Sequence, residues 1–452
     1  MDNTVYWIWL SLSCTVDTAT FSTLIAKFGS AKAVYEADEY DIISTLGPKA
    51  SDRAYLINKD LERAEQIYAF CKKFKVGILT YDDERYPLSL KKILTPPPLL
   101  YYRGILPDFN NEFFVAVVGT RGLSEYGRKN AFKISYDLAT AGTIIVSGMA
   151  KGIDGVGTAG AIAAEKPTVA ILGSGIDVCY PPQHLTLARE IVKSGCIMTE
   201  YAPGTPPYKN NFPKRNRIIS GLSRATFVVE GNERSGSMIT ARYAKEQGRD
   251  VYALPGNVGA DTSQVTNLLL KNGAKPCTTA EDILSNYEKE YLGKINVFLL
   301  KERCPIDMMY TLRTLEVDAN CPSDDIFRPT RSRTGAKVDT PSTRKKPNFN
   351  KAEAYSVAER SVEPTYSSDR KDSTPASDAS VDSSKSPSPT PTAFDKEALK
   401  LYKRIPAKGG CSIDELVNEE TPLRDVMKHL LKLEMGKFIV MLPGERVARK
   451  TK

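Results

Sequence analysis

Histidine is nearly absent: the 452 residues include two, His184 and His429. No Ser-His-Asp set, Cys-His pair or carboxylate-histidine metal set is evident around either of them. His184, in Tyr180-Pro181-Pro182-Gln183-His184, reads as a surface or turn residue. The eight cysteines (Cys14, Cys71, Cys179, Cys196, Cys277, Cys304, Cys321, Cys411) are scattered, with no Cys-x-x-Cys pair, which argues against a zinc site or a redox dithiol. No run approaches the roughly 18 apolar residues of a membrane span. The N-terminus carries Trp7, Trp9 and Leu10 but neither a basic leader nor a small-residue cleavage site. Two phosphate-binding signatures are also missing. There is no Gly-x-x-x-x-Gly-Lys-Ser/Thr loop, and Gly173-Ser174-Gly175 runs into Ile176-Asp177-Val178 without the third glycine of a dinucleotide fingerprint. The expectation is a cytoplasmic chain without membrane, metal or cofactor partners, in which binding takes precedence over catalysis.

What remains is organised in four parts. Residues 1–70 look helical: Phe21, Leu24, Ile25 and Phe28 keep helical spacing before Gly29, and a second helix fits 31–37. Ile42-Ile43-Ser44-Thr45-Leu46-Gly47-Pro48-Lys49-Ala50 resembles a helix-hairpin-helix turn, a unit that often grips DNA backbone through its hairpin amides. A purely structural helical domain is the other open reading. Residues 71–295 alternate short apolar runs with helical patterns. The runs are Phe113–Val118, Thr143–Val146, Thr168–Leu172, Cys196–Thr199, Ala225–Val229 and Asp250–Leu254; helical patterns include Gly127–Ala141 and Ser237–Gln247. Such alternation predicts an α/β fold, an extended Rossmann-like parallel sheet covered on both faces. Residues 296–393 include a long stretch rich in Ser, Thr, Pro and charge, and read as a disordered linker. Residues 394–452 fit a C-terminal winged-helix domain. Helices are expected over 394–404 and 412–417, a third follows Thr421-Pro422, and a two-stranded ribbon turns at Pro443-Gly444. From Lys396 onward there are 13 Lys or Arg against 8 Asp or Glu. Arg424, Lys428 and Lys432 share one face of the third helix; a duplex groove, solvent and a protein partner are all open as its counterpart.

The site is expected where an open parallel sheet binds ligands, beyond the carboxyl ends of its strands. Small residues gather there: Gly119-Thr120-Arg121-Gly122, Ser147-Gly148, Gly173-Ser174-Gly175 and Ser235-Gly236-Ser237. Lys214, Arg215 and Arg217 crowd into four positions with Asn216, just after Pro213 and before Ile218-Ile219. Cations on a folded element near a helix start suit phosphate, and the formal charge of +8 permits a nucleic-acid partner. Glu200 and Glu230 lie close by; a role as bases is open, and orienting Arg217 or a backbone amide as buried carboxylates is the favoured reading.

These motifs carry a family resemblance. Val115-Ala116-Val117-Val118-Gly119-Thr120-Arg121, Val146-Ser147-Gly148-Met149-Ala150-Lys151-Gly152-Ile153-Asp154, Phe212-Pro213-Lys214-Arg215-Asn216-Arg217-Ile218-Ile219-Ser220-Gly221-Leu222-Ser223 and Ser235-Gly236-Ser237-Met238-Ile239-Thr240-Ala241 resemble, in order, the DNA-processing protein A (DprA, or Smf) family. The resemblance implies a homodimer that binds single-stranded DNA without sequence preference and loads the RecA recombinase during natural transformation. It assigns DNA contact to Arg121, Ser147, Gly148, Gly173, Gly175, Lys214, Arg215, Asn216, Arg217, Ser235 and Ser237. The chain departs from the family pattern in two places: Gly155-Val156-Gly157-Thr158 replaces an Ala-rich turn with a histidine, and Val265 stands where a glycine usually precedes Asn267. The alternative is a nucleotide-processing enzyme, a nucleoside monophosphate glycosidic-bond hydrolase of a related Rossmann-like family. Its Pro-Gly-Gly-x-Gly-Thr loop is poorly matched by Glu230-Gly231-Asn232-Glu233-Arg234-Ser235-Gly236-Ser237.

Overall fold

The computed structural model describes residues 2–47, 50–232, 235–301, 308–315, 327 and 396–406, and parts of 411–449. Six helices lead: α1 (Asn3–Ser13), α2 (Thr20–Phe28), α3 (Ala31–Glu36), α4 (Glu39–Leu46), α5 (Arg53–Asn58) and α6 (Glu62–Lys73). Their starts follow capping chemistry, with Asp2, Ser30 and Asp38 accepting from the amides of Thr4, Ala33 and Asp41. Gly29, at φ 80°, closes α2 as its left-handed C-cap. Trp7, Ile8, Leu10, Phe21, Leu24, Ile42 and Leu56 are buried in this layer. Pro48 and Lys49, the hairpin tip, lie outside the described residues.

The sheet is mixed but mostly parallel, and Rossmann-like as expected. Its strands are β1 (Gly77–Thr80), β2 (Leu99–Gly104), β3 (Phe114–Val118), β4 (Ile144–Ser147), β5 (Thr168–Ile171), β6 (Cys196–Thr199), β7 (Ala225–Val228), β8 (Asp250–Ala253) and β9 (Lys275–Pro276), in the order β1-β2-β6-β5-β4-β3-β7-β8-β9. From β6 to β9 the neighbours are parallel; β1 and β2 form an antiparallel edge that the apolar runs had not signalled. The intervening helices are α7 (Leu88–Lys91), α8 (Glu125–Thr140), α9 (Ile153–Ala163), α10 (Leu185–Ser194), α11 (Asn211–Leu222), α12 (Gly236–Glu246), α13 (Gln264–Lys271) and α14 (Glu281–Leu284). β3 shows why both faces are covered. Val115 and Val117 point into one core with Phe132 and Leu138, while Phe114, Ala116 and Val118 enter the other with Ile218, Ile219 and Leu222. Chain order reverses between β3 and β7, so their carboxyl ends frame the crevice in which open α/β sheets hold ligands.

Helix α15 (Met308–Leu315) corrects the linker reading at its start: Leu312 and Leu315 are buried in the core that α8 and α9 share. The amphipathic spacing of Met308, Leu312 and Leu315 was the available signal.

The chain divides into two compact units, Met1–Ser356 and Val357–Lys452. The second contains α16 (Lys396–Arg404) and three antiparallel strands, β10 (Cys411–Ser412), β11 (Ile439–Leu442) and β12 (Arg446–Arg449), in the order β10-β12-β11. Leu401, Tyr402, Ile405, Val426, Leu430, Leu433 and Val447 form its core. Where a helix was expected over 412–417, the chain makes the short strand β10 and a single 3-10 turn at Asp414–Leu416. Arg424, Lys428, Lys432 and the Pro443-Gly444 turn lie outside the described residues.

Candidate nucleic-acid interface

At the reversal of strand order, where a dinucleotide-binding protein would receive pyrophosphate at a helix N-terminus, this chain places its own carboxylate. Glu230, buried at the end of β7, accepts the Ser124 amide at 2.9 Å and the Ser124 hydroxyl at 2.5 Å. Ser124 in turn caps the Gly127 amide of α8 at 3.0 Å. A Cβ at Gly127 would overlap the Glu230 carboxylate, so glycine is what allows the anion so close to the helix. One loop over, buried Asp154 in the first turn of α9 accepts the Gly148 amide at 3.1 Å and further amides from Ala150 and Gly119. Burial pushes the Asp154 carboxyl up, while the Arg215 charge and these amides oppose the rise. The Gly175 amide goes to Thr205 O at 2.8 Å and that of Thr120 to Glu230 O at 2.8 Å. The strand-end amides expected to cradle phosphate are thus largely engaged by the protein's own acceptors.

Helix α11 holds the cation cluster. Pro213 sits in its first turn, where a missing N–H costs nothing. Arg215 and Arg217 face inward. Arg215, 3% exposed, donates to Gly148 O at 2.8 Å, to Ile171 O and to Asn216 Oδ1 at 3.2 Å. Burial lowers its pKa to about 10, so it stays charged near neutrality. A Cβ at Gly148 would run into Arg215 and Asp154. Arg217, 2% exposed, makes a bidentate pair with Glu200, Nη1–Oε1 2.7 Å and Nη2–Oε2 2.7 Å. Burial alone would lower its pKa, but the Glu200 charge and hydrogen bonds outweigh that and raise it. Asn216 reaches Gly236 O of α12 at 3.3 Å, and Ser147 Oγ donates to Val117 O at 2.8 Å. Ser235 N-caps α12, with its hydroxyl 2.8 Å from that of Ser237.

The expected contact residues therefore separate. Ser147, Gly148, Gly173, Gly175, Arg215, Asn216, Arg217 and Ser237 are buried and form the floor. Within that floor Arg215 and Arg217 brace the loops, because a buried guanidinium needs internal acceptors. Arg121 is exposed, with Lys214 and Ser235 half-buried. Among the described residues Arg121 has no carboxylate partner; its Cζ lies 5.4 Å from the centre of the Phe212 ring. Phe212 covers Gly173, where a Cβ would come within 3.0 Å of the ring, and stands 5.3 Å from Tyr180 at 47°. Asn211 ties this turn down by donating to Gly173 O at 3.1 Å. Exposed Lys151 follows the same Gly148 loop. An aromatic pair with Arg121 over one of its rings is thus an outward part of the site.

Residues 77–288 match the model of the DNA recombination-mediator protein A family. DNA processing protein DprA of Bacillus subtilis is 37% identical over 218 residues, 48% of this chain and 73% of that protein. DprA of Streptococcus pneumoniae is 41% identical over 206 residues, 46% of this chain and 72% of that protein. The chain belongs to this family. The X-ray structure of Streptococcus pneumoniae DprA superposes with a TM-score of 0.55 at 34% identity, covering 63% of this chain and 98% of that one. Protein Smf of Synechocystis is 41% identical over 211 residues, so the match spans about half, 53%, of that relative's length.

The family segment runs from β1 through α14 and contains every candidate site residue. Residue reading missed Phe212 and Tyr180 as ring surfaces; an aromatic immediately before Pro213-Lys214 was the signal. His184 lies in a turn, Pro182–His184, but is not at the surface: it is 5% exposed with Nδ1 3.0 Å from Met149 O. The departure at Gly155 accommodates it: a Cβ there would stand 2.6 Å from the His184 ring. At the second departure, Asn267 exchanges two hydrogen bonds with the Gly256 backbone, at 3.3 and 3.1 Å.

Proposed function

We propose that this chain binds single-stranded DNA without sequence preference and mediates its loading with RecA recombinase in recombination and natural transformation. Phosphates lie against Arg121 and Lys214, with Lys151 alongside, and bases stack on Phe212 and Tyr180. Backbone contacts give affinity without reading sequence, and aromatic faces accept any unpaired base. The protein acts in the cytoplasm as a homodimer, as a binder rather than an enzyme. Contact with duplex DNA or a protein partner through a winged-helix C-terminal unit, and DNA contact through a helix-hairpin-helix-like N-terminal domain, are subsidiary proposals. Membership of a family of recombination mediators supports this reading. The observation that carries it is the exposed Arg121 guanidinium over the Phe212 ring, without a carboxylate partner among the described residues.

The nucleotide-hydrolase alternative is disfavoured by Glu230. It already fills the α8 terminus that would receive a mononucleotide phosphate, and its oxygens are held by Ser124. The deciding experiment is a salt-titrated binding assay with single strand, duplex and nucleoside monophosphates in parallel. Arg121→Ala is expected to weaken single-strand binding and to lower the slope of log affinity against log salt by about 0.7, the value for one lost phosphate contact. Unchanged affinity in Arg121→Ala, or release of free base from a nucleoside monophosphate, overturns the proposal.

A further inference from the structure

The N-terminal helices meet the site through one turn. Between α1 and α2, Thr15 donates its amide at 2.9 Å and its hydroxyl to Asp52, a residue 1% exposed. The Thr18 hydroxyl closes back on Thr15 O at 2.7 Å. Asp17 follows at φ 65°, a left-handed conformation uncommon for residues other than glycine. Its carboxylate is then secured by three parts of the sheet domain: Thr95 Oγ1 donates at 2.9 Å, Tyr243 of α12 donates at 3.3 Å, and Arg217 Nε lies 3.6 Å away. This anchoring presents the Val16 carbonyl to Lys214, whose Nζ donates to it at 3.0 Å.

An ammonium has three donors. Val16 takes one and is neutral, and among the described residues no carboxylate forms an ion pair with Lys214. The charge is held in place, not cancelled. Fixing a lysine side chain costs rotamer freedom, and a side chain already fixed spares part of that cost when a ligand arrives. We infer that the Thr15–Asp17 turn of the N-terminal domain is a positioning element of the DNA site, holding Lys214 ready for a phosphate. The inference rests on the single-strand reading above.

The test is a double-mutant cycle in the full-length chain, read by anisotropy of a labelled oligothymidine across a salt titration. Asp17→Gly removes the clamped carboxylate yet accepts the positive φ without strain, and Tyr243→Phe removes one clamp bond as an independent variant. Lys214→Gln is expected to weaken binding about fivefold to tenfold and to lower the salt slope by about 0.7. Asp17→Gly weakens it about threefold, Tyr243→Phe less, and neither has further effect in the Lys214→Gln background, because they act through that lysine. If the effects of Asp17→Gly and Lys214→Gln add, or if Asp17→Gly leaves binding unchanged or tightens it, the positioning role falls while the DNA site stands. If Lys214→Gln itself is inert, Lys214 is no part of the interface and the inference falls, whereas failure of the unsubstituted chain to bind the oligothymidine would overturn the single-strand reading itself.

Discussion

Identical side-chain chemistry serves different purposes within the site. Arg217 and Arg215 carry the same group as Arg121, yet burial and internal acceptors make them supports, while exposure leaves Arg121 available. The Glu200–Arg217 pair is closed on both oxygens at 2.7 Å. Glu200→Ala would strand a buried cation and is expected to cost about 3–5 kcal/mol of stability, measured by urea denaturation. Phe212→Ala is expected to behave differently from Arg121→Ala. It should lose about 1–3 kcal/mol of single-strand affinity with an unaltered salt slope, since no charge has been removed. A slope that fell with Phe212→Ala would mean that the ring acts by positioning Arg121 instead of by stacking.

At the scale of elements, the loops after β3, β4 and β7 form nests of amides, and the chain supplies the anions itself. Glu230 at α8 and Asp154 at α9 replace the phosphate that such helix starts attract in nucleotide-binding sheets. Removing the internal anion should restore that affinity. Glu230→Ala is expected to lose about 1–3 kcal/mol, the penalty for leaving the Ser124 donors unmade, and to recover part of it in millimolar sulfate; the wild type should show no comparable gain in a thermal melt. Equal sulfate effects on both proteins would refute the substitution of carboxylate for phosphate. Gly148→Ala tests the crowding beneath the loop. Its Cβ meets Arg215 and Asp154 together, so a loss of about 1–3 kcal/mol by overpacking is expected.

For the molecule as a whole, Met1–Ser356 contains the sheet, the interface and the N-terminal turn that meets it, while Val357–Lys452 has a core of its own. A chain ending at Ser356 is therefore expected to retain single-strand binding within about twofold. Any duplex affinity contributed by the C-terminal unit would be lost, which parallel titrations with single strand and duplex would reveal. Collapse of single-strand binding on this truncation would move the main interface away from the sheet.

The sequence by itself determined the alternation of strand and helix, the mostly parallel sheet and the gathering of small residues at its strand ends. Period, glycine turns and capping residues are local, and the chain states them directly. Phe113–Val118 and Cys196–Thr199 were legible as strands for that reason, and Pro213 as the start of a helix beside its cations. Glu200 and Glu230 could be read as orienting carboxylates because a buried anion needs donors. Only the tertiary structure decided which cations face solvent, that Phe212 packs against Tyr180 under Arg121, and that β1 and β2 close one edge antiparallel. It alone brought Asp17 to Arg217 and Val16 to Lys214, partners about two hundred positions apart. Burial and long-range pairing depend on how the elements pack, and no spacing along the chain encodes the direction in which an arginine on a helix will turn.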